Sequence, residues 1–248
     1  MLNESSVNTS TILIPCRDEA GNIVKLIEKL ILEISTNDSI LIVEGGSKDE
    51  TWELALELQK RFHPKVRTIK QTGRGKFAAI LTSKDFIDSD VTFIYDSDRT
   101  ISVDDNLRIL ENCKNQSGTL CTGNRLSGKR DQKSMKKLNL IGNYIFALLW
   151  SVISVSKPID VLCGSKCFPS SLLNNIPQKM IRNDYYGDFS ILFTSLFMRL
   201  KVESIPVNYI PRTYGKTKIN PWVGGMRLLR AYFVGALITI SKLGRKPS

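Results

Sequence analysis

Apolar residues along the chain alternate between short runs and longer stretches with helical spacing. Short apolar runs, typical of strands buried on both faces of a parallel sheet, occupy residues 11–15, 39–43, 66–70, 91–95 and 118–122. Apolar side chains that recur every three or four residues, as on a helix with one buried face, occupy residues 23–34, 51–62 and 103–113. This alternation predicts an α/β fold with a doubly wound, mostly parallel sheet whose functional loops gather along one edge.

Two uncharged stretches in the second half of the chain are interpreted as helices. Residues 138–156 carry no charge and follow a basic cluster formed by Lys129, Arg130, Lys133, Lys136 and Lys137. A final helix over residues 226–243 contains an uncharged segment at 231–241. The first stretch is too polar, and the second too short, for a membrane span. Two alternatives stay open for both: a helix lying on an anionic membrane surface, or an ordinary helix packed on the domain.

The remaining apolar segments indicate a strand, a helix and an edge strand, at residues 159–168, 185–200 and 202–209. The last strand is placed at an edge because Pro206 cannot donate a hydrogen bond to a neighbouring strand. We therefore expect one domain over residues 1–220, followed by a C-terminal amphipathic helix over residues 221–248.

Composition narrows the class of partner. The chain has 248 residues, of which 42% are hydrophobic, enough for one large domain with a full core. Its net charge of +11 favours phosphorylated small molecules, nucleic acid or an acidic membrane surface. The polar first ten residues lack the pattern of a secretory signal, which predicts a cytosolic catalytic face. The five cysteines are then expected to be free thiols, and Cys163 and Cys167 lack the further ligands of a zinc site.

Two carboxylates one residue apart, Asp96 and Asp98, follow the apolar run at 91–95. Ligands bind to open α/β sheets where central strands end, and two hard oxygen donors there can share a divalent cation with the phosphates of a nucleotide. A simple turn is the alternative, since Asp and Ser are common in turns. Gly73 and Lys76 lack the spacing of a P-loop, but a lysine at the start of a helix still suits an anion.

Six short motifs carry a resemblance to a known family, in order from residue 11 to about residue 220: IPCRDEAGNI, IVEGGSKDET, GRGKFAAI, YDSD, DVLCGSK and RTYGKTK. They resemble the family 2 glycosyltransferases of GT-A fold, and within them the branch of polyprenyl-phosphate, or dolichyl-phosphate, sugar transferases. The resemblance implies a Rossmann-like GT-A fold with helices flanking the sheet. It also favours the metal-binding interpretation of the paired aspartates over a simple turn.

By the same resemblance, a nucleotide-diphosphate sugar is bound by Pro15, Cys16, Arg17, Glu19, Glu44, Gly73, Lys76, Asp96, Ser97, Arg212 and Lys218. Asp96 and Asp98 would hold Mg²⁺ or Mn²⁺, and Asp98 is the more direct ligand and a catalytic residue. Asp188 matches the family's catalytic acidic residue. It would be a general base toward a hydroxyl acceptor, or would orient an acceptor phosphate that is already ionised at neutral pH. A helix N-cap is the alternative role for Asp188.

The implied reaction is transfer with inversion from a UDP- or GDP-sugar to a lipid-linked (polyprenyl phosphate) or saccharide acceptor, in cell-envelope glycan or glycolipid synthesis. The enzyme would be peripheral on the cytosolic face of a membrane and would not bind nucleic acid. Two departures from the family pattern stand out. Glu44 and Gly45 replace two aspartates, which leaves the nucleobase open, and Asp18 replaces an asparagine.

Two other functions fit parts of the sequence. A sugar-phosphate nucleotidyltransferase would need a glycine-rich loop with an arginine after the first strand, and the segment CRDEAGN does not provide one. A non-catalytic basic module that binds membrane or nucleic acid would account for the charge of +11. No basic strand with interleaved aromatic residues accompanies that charge.

Overall fold

Seven strands form one sheet in the computed structural model, which describes residues 8–129, 137–212, 214 and 221–243. The strands are β1 Ser10–Cys16, β2 Asp38–Glu44, β3 Val66–Lys70, β4 Val91–Ile94, β5 Thr119–Asn124, β6 Lys166–Pro169 and β7 Lys201–Pro206. Their order across the sheet is β3-β2-β1-β4-β6-β5-β7. β1 pairs in parallel with β2 and β4, and β6 is antiparallel to both β4 and β5. The predicted mostly parallel sheet is confirmed, with β6 as its reversed strand and β7 at an edge.

Helices cover both faces of the sheet. They are α1 Ala20–Glu33, α2 Thr51–Arg61, α3 Lys76–Ser83, α4 Val103–Lys114, α5 Lys137–Ser154, α6 Gln178–Ile181, α7 Asp188–Phe197 and α8 Pro221–Leu243. Side chains alternate between the faces of a strand, so Ile12 and Ile14 of β1 enter the core beneath α1, α2 and α4. Leu13 enters the opposite core, with α3, α5, α7 and α8. All three side chains are fully buried, each contributing about 1.5–3 kcal/mol.

The strand predicted at residues 159–168 is wrong over most of its length, because only Lys166–Pro169 forms β6. Residues 160–165 form a buried loop. The Asp160 carboxylate in that loop is fully buried and forms a two-point ion pair with Arg125, at 2.6 and 3.0 Å. A carboxylate paired in this way can be buried without a strand around it. The apolar residues between Asp160 and Lys166 therefore fill core space around an ion pair.

Helix α8 packs on the domain, which is one of the two alternatives left open for the C-terminal segment, and it also has an exposed apolar side. Ala231, Tyr232 and Ala236 are buried against the domain, and the Tyr232 hydroxyl donates to the carbonyl of Leu149 in α5 at 2.8 Å. The opposite side of the helix exposes apolar side chains, namely Trp222, Val223, Met226, Phe233, Leu237 and Ile240. Helix α5 has the same character: Trp150 is buried, while Leu138, Ile141, Tyr144, Ile145, Leu148 and Val152 are exposed.

The prediction that the C-terminal helix, α8, is too short for a membrane span is wrong as to length. Within the described residues, Trp222–Lys242 is long and apolar enough to cross a membrane by length and composition, and 33% of its most apolar stretch is buried inside the protein. The uncharged segment at 231–241 is only part of this helix, which continues through Arg227 and Arg230 toward its N-terminus.

Candidate active site

The loops that follow β1 and β2 are joined by hydrogen bonds. The amide of Asp18 donates to Ser47 Oγ at 2.9 Å, and the Asp18 carboxylate accepts from the amide of Lys48 at 2.7 Å. The amide of Glu19 donates to Thr51 Oγ1 at 2.8 Å. Asp18 has a left-handed backbone, with φ at 51°. Asp and Asn tolerate this conformation better than other residues with a side chain, so an aspartate suits the position where the family has an asparagine.

A cleft of about 300 Å³ lies beside these two loops. Glu44, at the end of β2, lines it and is itself buried, with one carboxylate oxygen accepting from the amide of Ser47 at 2.5 Å. Trp52 and Lys70 form the other side, where the Lys70 ammonium lies 4.6 Å from the centre of the Trp52 ring. A flat aromatic surface next to an acceptor carboxylate can hold a nucleobase.

Asp96 follows β4 and is ion-paired with Lys76, the first residue of α3. Burial lowers the pKa of Lys76, but the attraction of Asp96 and, less strongly, of Asp188 outweighs burial and leaves that pKa above its usual value. For Asp96, burial raises the pKa, and Lys76 and Lys166 lower it below its usual value. Gly164 closes the site from the side, because a Cβ there would meet both the Asp96 carboxylate and the Lys76 ammonium.

Asp98 lies two residues further along, in contact with Arg212. One Asp98 oxygen accepts from the amide and hydroxyl of Thr100, at 3.1 and 2.8 Å. The other accepts from Arg212 Nη2 at 2.6 Å, and Arg212 Nη1 lies 3.3 Å from the buried Glu19 carboxylate. Arg212 therefore joins the loop after β1 to the loop after β4. Both aspartates of the pair therefore have a cationic partner.

Asp188 is the first residue of α7, and its carboxylate forms a 2.5 Å ion pair with Lys166 of β6. The Lys166 side chain is 1% exposed, and its ammonium also donates to the carbonyl of Cys163. The alternative of Asp188 as a helix N-cap is wrong, since Gly187 occupies that position. The nearby Asp184 accepts hydrogen bonds from the amides that open α7.

The structure brings most of the predicted site residues to the carboxyl edge of the sheet. Ser97 Oγ donates to the carbonyl of Pro15 at 3.2 Å, which ties the paired aspartates to β1. Pro15 and Cys16 belong to β1 itself, and the Cys16 side chain packs in the core, so Cys16 offers the site only its backbone. The other members present are Arg17 and Gly73, in the loops after β1 and β3. Lys218 lies outside the described residues.

Three contributors were not singled out from the sequence: Lys166, Gly164 and the Arg125–Asp160 pair. A lysine inside the otherwise apolar segment SKCF carried a usable signal, since a buried ammonium needs a buried counter-ion. Gly164 is part of the motif DVLCGSK, but nothing in the sequence indicated that it would lie against Asp96 and Lys76. The five cysteines are free, as predicted.

Asp96 and Asp98 fit a divalent ion that is also bound by a ligand. Within the described part of the chain, no group of three or more His, Cys, Asp or Glu side chains is arranged to hold a metal alone. Mg²⁺ and Mn²⁺ sites in nucleotide enzymes commonly use one or two carboxylates, with phosphate and water oxygens completing the shell. The two side chains at the end of β4 supply that smaller donor set.

A mostly parallel sheet with paired carboxylates and facing cations at its carboxyl edge defines an α/β enzyme of the nucleotide-binding class. The model of the family described as glycosyl transferase family 2 matches residues 11–197, and the chain belongs to this family. The protein is therefore a glycosyltransferase.

Two relatives and one solved structure illustrate the similarity. The chain is 22% identical over 216 residues to UDP-N-acetylglucosamine–dolichyl-phosphate N-acetylglucosaminyltransferase of Methanococcus voltae, covering 80% of this chain and 86% of that one. It is 22% identical over 225 residues to dolichyl-phosphate beta-glucosyltransferase ALG5A of Trichomonas vaginalis, covering 85% and 68%. The predicted resemblance to the dolichyl-phosphate branch is confirmed.

The fold is shared with glucosyl-3-phosphoglycerate synthase from Mycobacterium tuberculosis, solved with Mn²⁺, UDP and glucosyl-3-phosphoglycerate. The TM-score is 0.62 at 15% identity, over 97% of this chain and 82% of that chain. The predicted GT-A type of α/β fold is confirmed.

Proposed function

We propose that this glycosyltransferase is metal-dependent and inverting, and that it moves a sugar from a UDP- or GDP-sugar to the phosphate of a polyprenyl-phosphate lipid. The observation that carries the proposal is the pairing of Asp96 with Lys76 and of Asp98 with Arg212 at the end of a central strand. These side chains offer two carboxylates for a cation and two cations for a diphosphate. Both halves of a metal–diphosphate complex have complementary groups there.

Each side chain then has a separate task. The cleft lined by Glu44 and Trp52 takes the nucleobase. Lys76 and Arg212 bind the diphosphate, the lysine as a point charge and the arginine as a planar donor fork. Asp96 and Asp98 would hold Mg²⁺ or Mn²⁺, which supplies Lewis-acid stabilisation of the leaving nucleoside diphosphate. The synthase of the same fold was solved with Mn²⁺ and UDP, which supports this choice.

The ion pair of Asp188 favours an acceptor that is already ionised. If the Asp188 carboxylate took a proton from a hydroxyl acceptor, the Lys166 ammonium would remain buried without its counter-ion, which is strongly unfavourable. A phosphate monoester has its second pKa near 6 and needs no base at neutral pH. Asp188 therefore orients the acceptor, and the names of the dolichyl-phosphate relatives support the same acceptor chemistry.

Residues 1–220 form the catalytic part in this proposal, and residues 221–248 attach it to the cytosolic face of a membrane. Helices α5 and α8 both bury one side in the protein and expose apolar side chains on the other, such as Leu148 and Leu237. A helix of this kind lies in the plane of the interface. Because α8 packs along α5 and α7, we favour peripheral attachment over a span.

Binding and transfer are tested separately. Titration calorimetry with UDP- and GDP-sugars should show binding that requires Mn²⁺ and is lost in Asp96→Ala. Transfer is then measured with a polyprenyl phosphate and with the matching polyprenol, and only the phosphate should accept the sugar. Metal-independent binding, or equal binding by the variant, would refute the assignment of the site. Transfer to the polyprenol at the same rate would refute the role given to Asp188.

A further inference from the structure

A second cleft, of about 350 Å³, lies outside the nucleotide site, between α3, the segment after α6 and the first half of α8. Four exposed arginines line it, and we refer to them as the arginine pocket: Arg74, Arg182, Arg227 and Arg230. Three separate elements contribute these side chains, so the positive charge is not simply a basic run in the sequence.

Neighbouring side chains hold two of these guanidinium groups in place. The Arg227 guanidinium lies 4.4 Å from the centre of the Tyr185 ring, within the distance of a cation–π contact. Arg230 Nε donates to Asn183 Oδ1 at 2.8 Å. Tyr185 also packs against Gly75, where a Cβ would lie 2.6 Å from the ring. The pocket is therefore built against the loop that leads into α3, whose first residue is Lys76.

The charge of the arginine pocket is not neutralised from within. In the part of the chain that the structure describes, every ion pair involves other residues, and none of the four arginines has a carboxylate within 4.0 Å. Asp184 is the acidic residue in the lining, but it is buried and its carboxylate accepts from the amides of Gly187 and Ser190. By contrast, Lys76 and Arg212 in the active site each have a carboxylate partner.

Exposed apolar side chains adjoin the pocket on α8. Trp222 and Met226 are 78% and 68% exposed and precede Arg227 by five residues and one residue. Residues three or four apart share one face of a helix, so Met226, Arg230 and Phe233 form one stripe. A cationic cleft continuous with an apolar stripe matches an anionic lipid, which presents a phosphate directly above its acyl chains. A free phosphate compound would leave the stripe without a partner.

We infer that the arginine pocket binds the headgroup phosphate of an anionic phospholipid while the exposed apolar side chains of α8 enter the acyl-chain boundary. This inference rests on the membrane attachment proposed above and specifies the residues and the charge class of the lipid. Arginine suits the contact because its planar donor fork matches phosphate oxygens. The site would set the catalytic edge of the sheet at the height of lipid phosphates.

The test compares the double variant Arg227→Gln/Arg230→Gln with Lys25→Gln/Lys60→Gln. The second pair removes the same charge from exposed positions on α1 and α2, which lie on the other face of the sheet. Vesicles of phosphatidylcholine, with or without phosphatidylglycerol, are used in co-flotation. Each basic residue at a membrane surface contributes about fivefold in affinity. We expect a loss of roughly 25-fold on the anionic vesicles for the pocket variant, and a much smaller change for the control.

Equal loss in the two double variants would overturn the headgroup site, because only the net charge would then matter. Binding of glycerol 3-phosphate that the pocket variant loses, with vesicle binding unchanged, would also overturn it in favour of a soluble phosphate. The proposed nucleotide-sugar site is tested separately, by measuring the binding of a nucleotide sugar with Mn²⁺ in a calorimeter. A chain that floats through its arginines but binds no nucleotide sugar would refute the transferase proposal and leave the headgroup site supported.

Discussion

At the scale of single residues, the buried lysine of β6 is the least expected feature of the site. Lys166 is fully buried, yet it is charged and touches Asp188. A buried ion pair is weak evidence for stability, because desolvation of both charges opposes their attraction. The contact of Lys166 with the candidate catalytic residue instead favours a positioning role for Lys166.

Replacing Lys166 separates positioning from stability. Lys166→Met leaves the Asp188 carboxylate without its partner and should lower stability by about 3 kcal/mol in urea unfolding. Sugar transfer should fall by roughly 100-fold through a misplaced carboxylate. Lys166→Arg keeps the charge and should recover part of both losses. In Lys166→Met/Asp188→Asn, stability should return without transfer, and full recovery of transfer would contradict the positioning role.

Gly164 offers a sharp test of how closely the site is packed. In Gly164→Ala, the new methyl group meets the Asp96 carboxylate and the Lys76 ammonium. We expect metal-dependent nucleotide-sugar binding to weaken by at least about tenfold, as when groups that orient a metal ligand are displaced. Gly142→Ala in α5 is the matched control, because nothing lies within 4 Å of a Cβ there. Equal affinities in the two variants, measured by calorimetry, would contradict this packing.

The sequence predicted which residues meet at the site better than how they pair. Asp96, Asp98, Glu19 and Arg212 were all identified from short motifs. Their contacts were not, because Arg212 reaches Glu19 across 193 positions of sequence, and such pairings depend on the strand order. The strand order follows from the fold as a whole and has no signature in any short stretch of sequence.

At the scale of elements, spacing predicted the strands and helices well where one period dominates. The ends of β1 to β4 were predicted to within one residue, because each strand is apolar and bounded by polar loops. The strand predicted over Asp160 to Lys166 was wrong, because a buried loop built on an ion pair is as apolar as a strand. Hydrophobicity reports burial, and it reports backbone conformation only when a period accompanies it.

Substitution of two glycines in α8 tests whether this helix packs against α7. Replacing a mid-helix glycine with alanine normally stabilises a helix by up to about 1 kcal/mol. We expect that gain for Gly225→Ala, where no atom lies within 4 Å of the new Cβ. Gly235→Ala should instead lower stability by about 1–3 kcal/mol, because its Cβ meets the Phe193 ring of α7. Urea unfolding measures both, and equal stabilisation would mean that α8 is not packed on α7 as described.

At the scale of the whole molecule, the basic residues behind the charge of +11 include two contrasting groups. Cations of the active site are paired with carboxylates, whereas those of the arginine pocket are not. Composition predicted an anionic partner but could not separate these two surfaces. The separation depends on which acidic side chains the fold brings close to each cation.

Chelation tests the metal dependence of the complete enzyme. Treatment with EDTA should abolish sugar transfer, and Mn²⁺ or Mg²⁺ should restore it. Asp98→Asn should raise the Mn²⁺ concentration needed for half-maximal transfer by at least about tenfold. Asp104→Asn removes an exposed carboxylate that pairs with Lys29, and it should leave this concentration unchanged. Transfer that survives chelation would contradict a metal held by the paired aspartates.

The ion pairs of Asp96 and Asp98 have a consequence for how metal and nucleotide would bind. A metal ion that bound alone would compete with Lys76 for Asp96 and with Arg212 for Asp98, and Lys76 would lose its ion-pair partner. If metal and nucleotide were bound together, the diphosphate would offer Lys76 and Arg212 new anionic partners, and Asp96 and Asp98 would be free to hold the metal. By linkage, metal and nucleotide raise each other's affinity by the same factor. The chain would thus bind Mn²⁺ and its nucleotide sugar cooperatively, and either one alone only weakly.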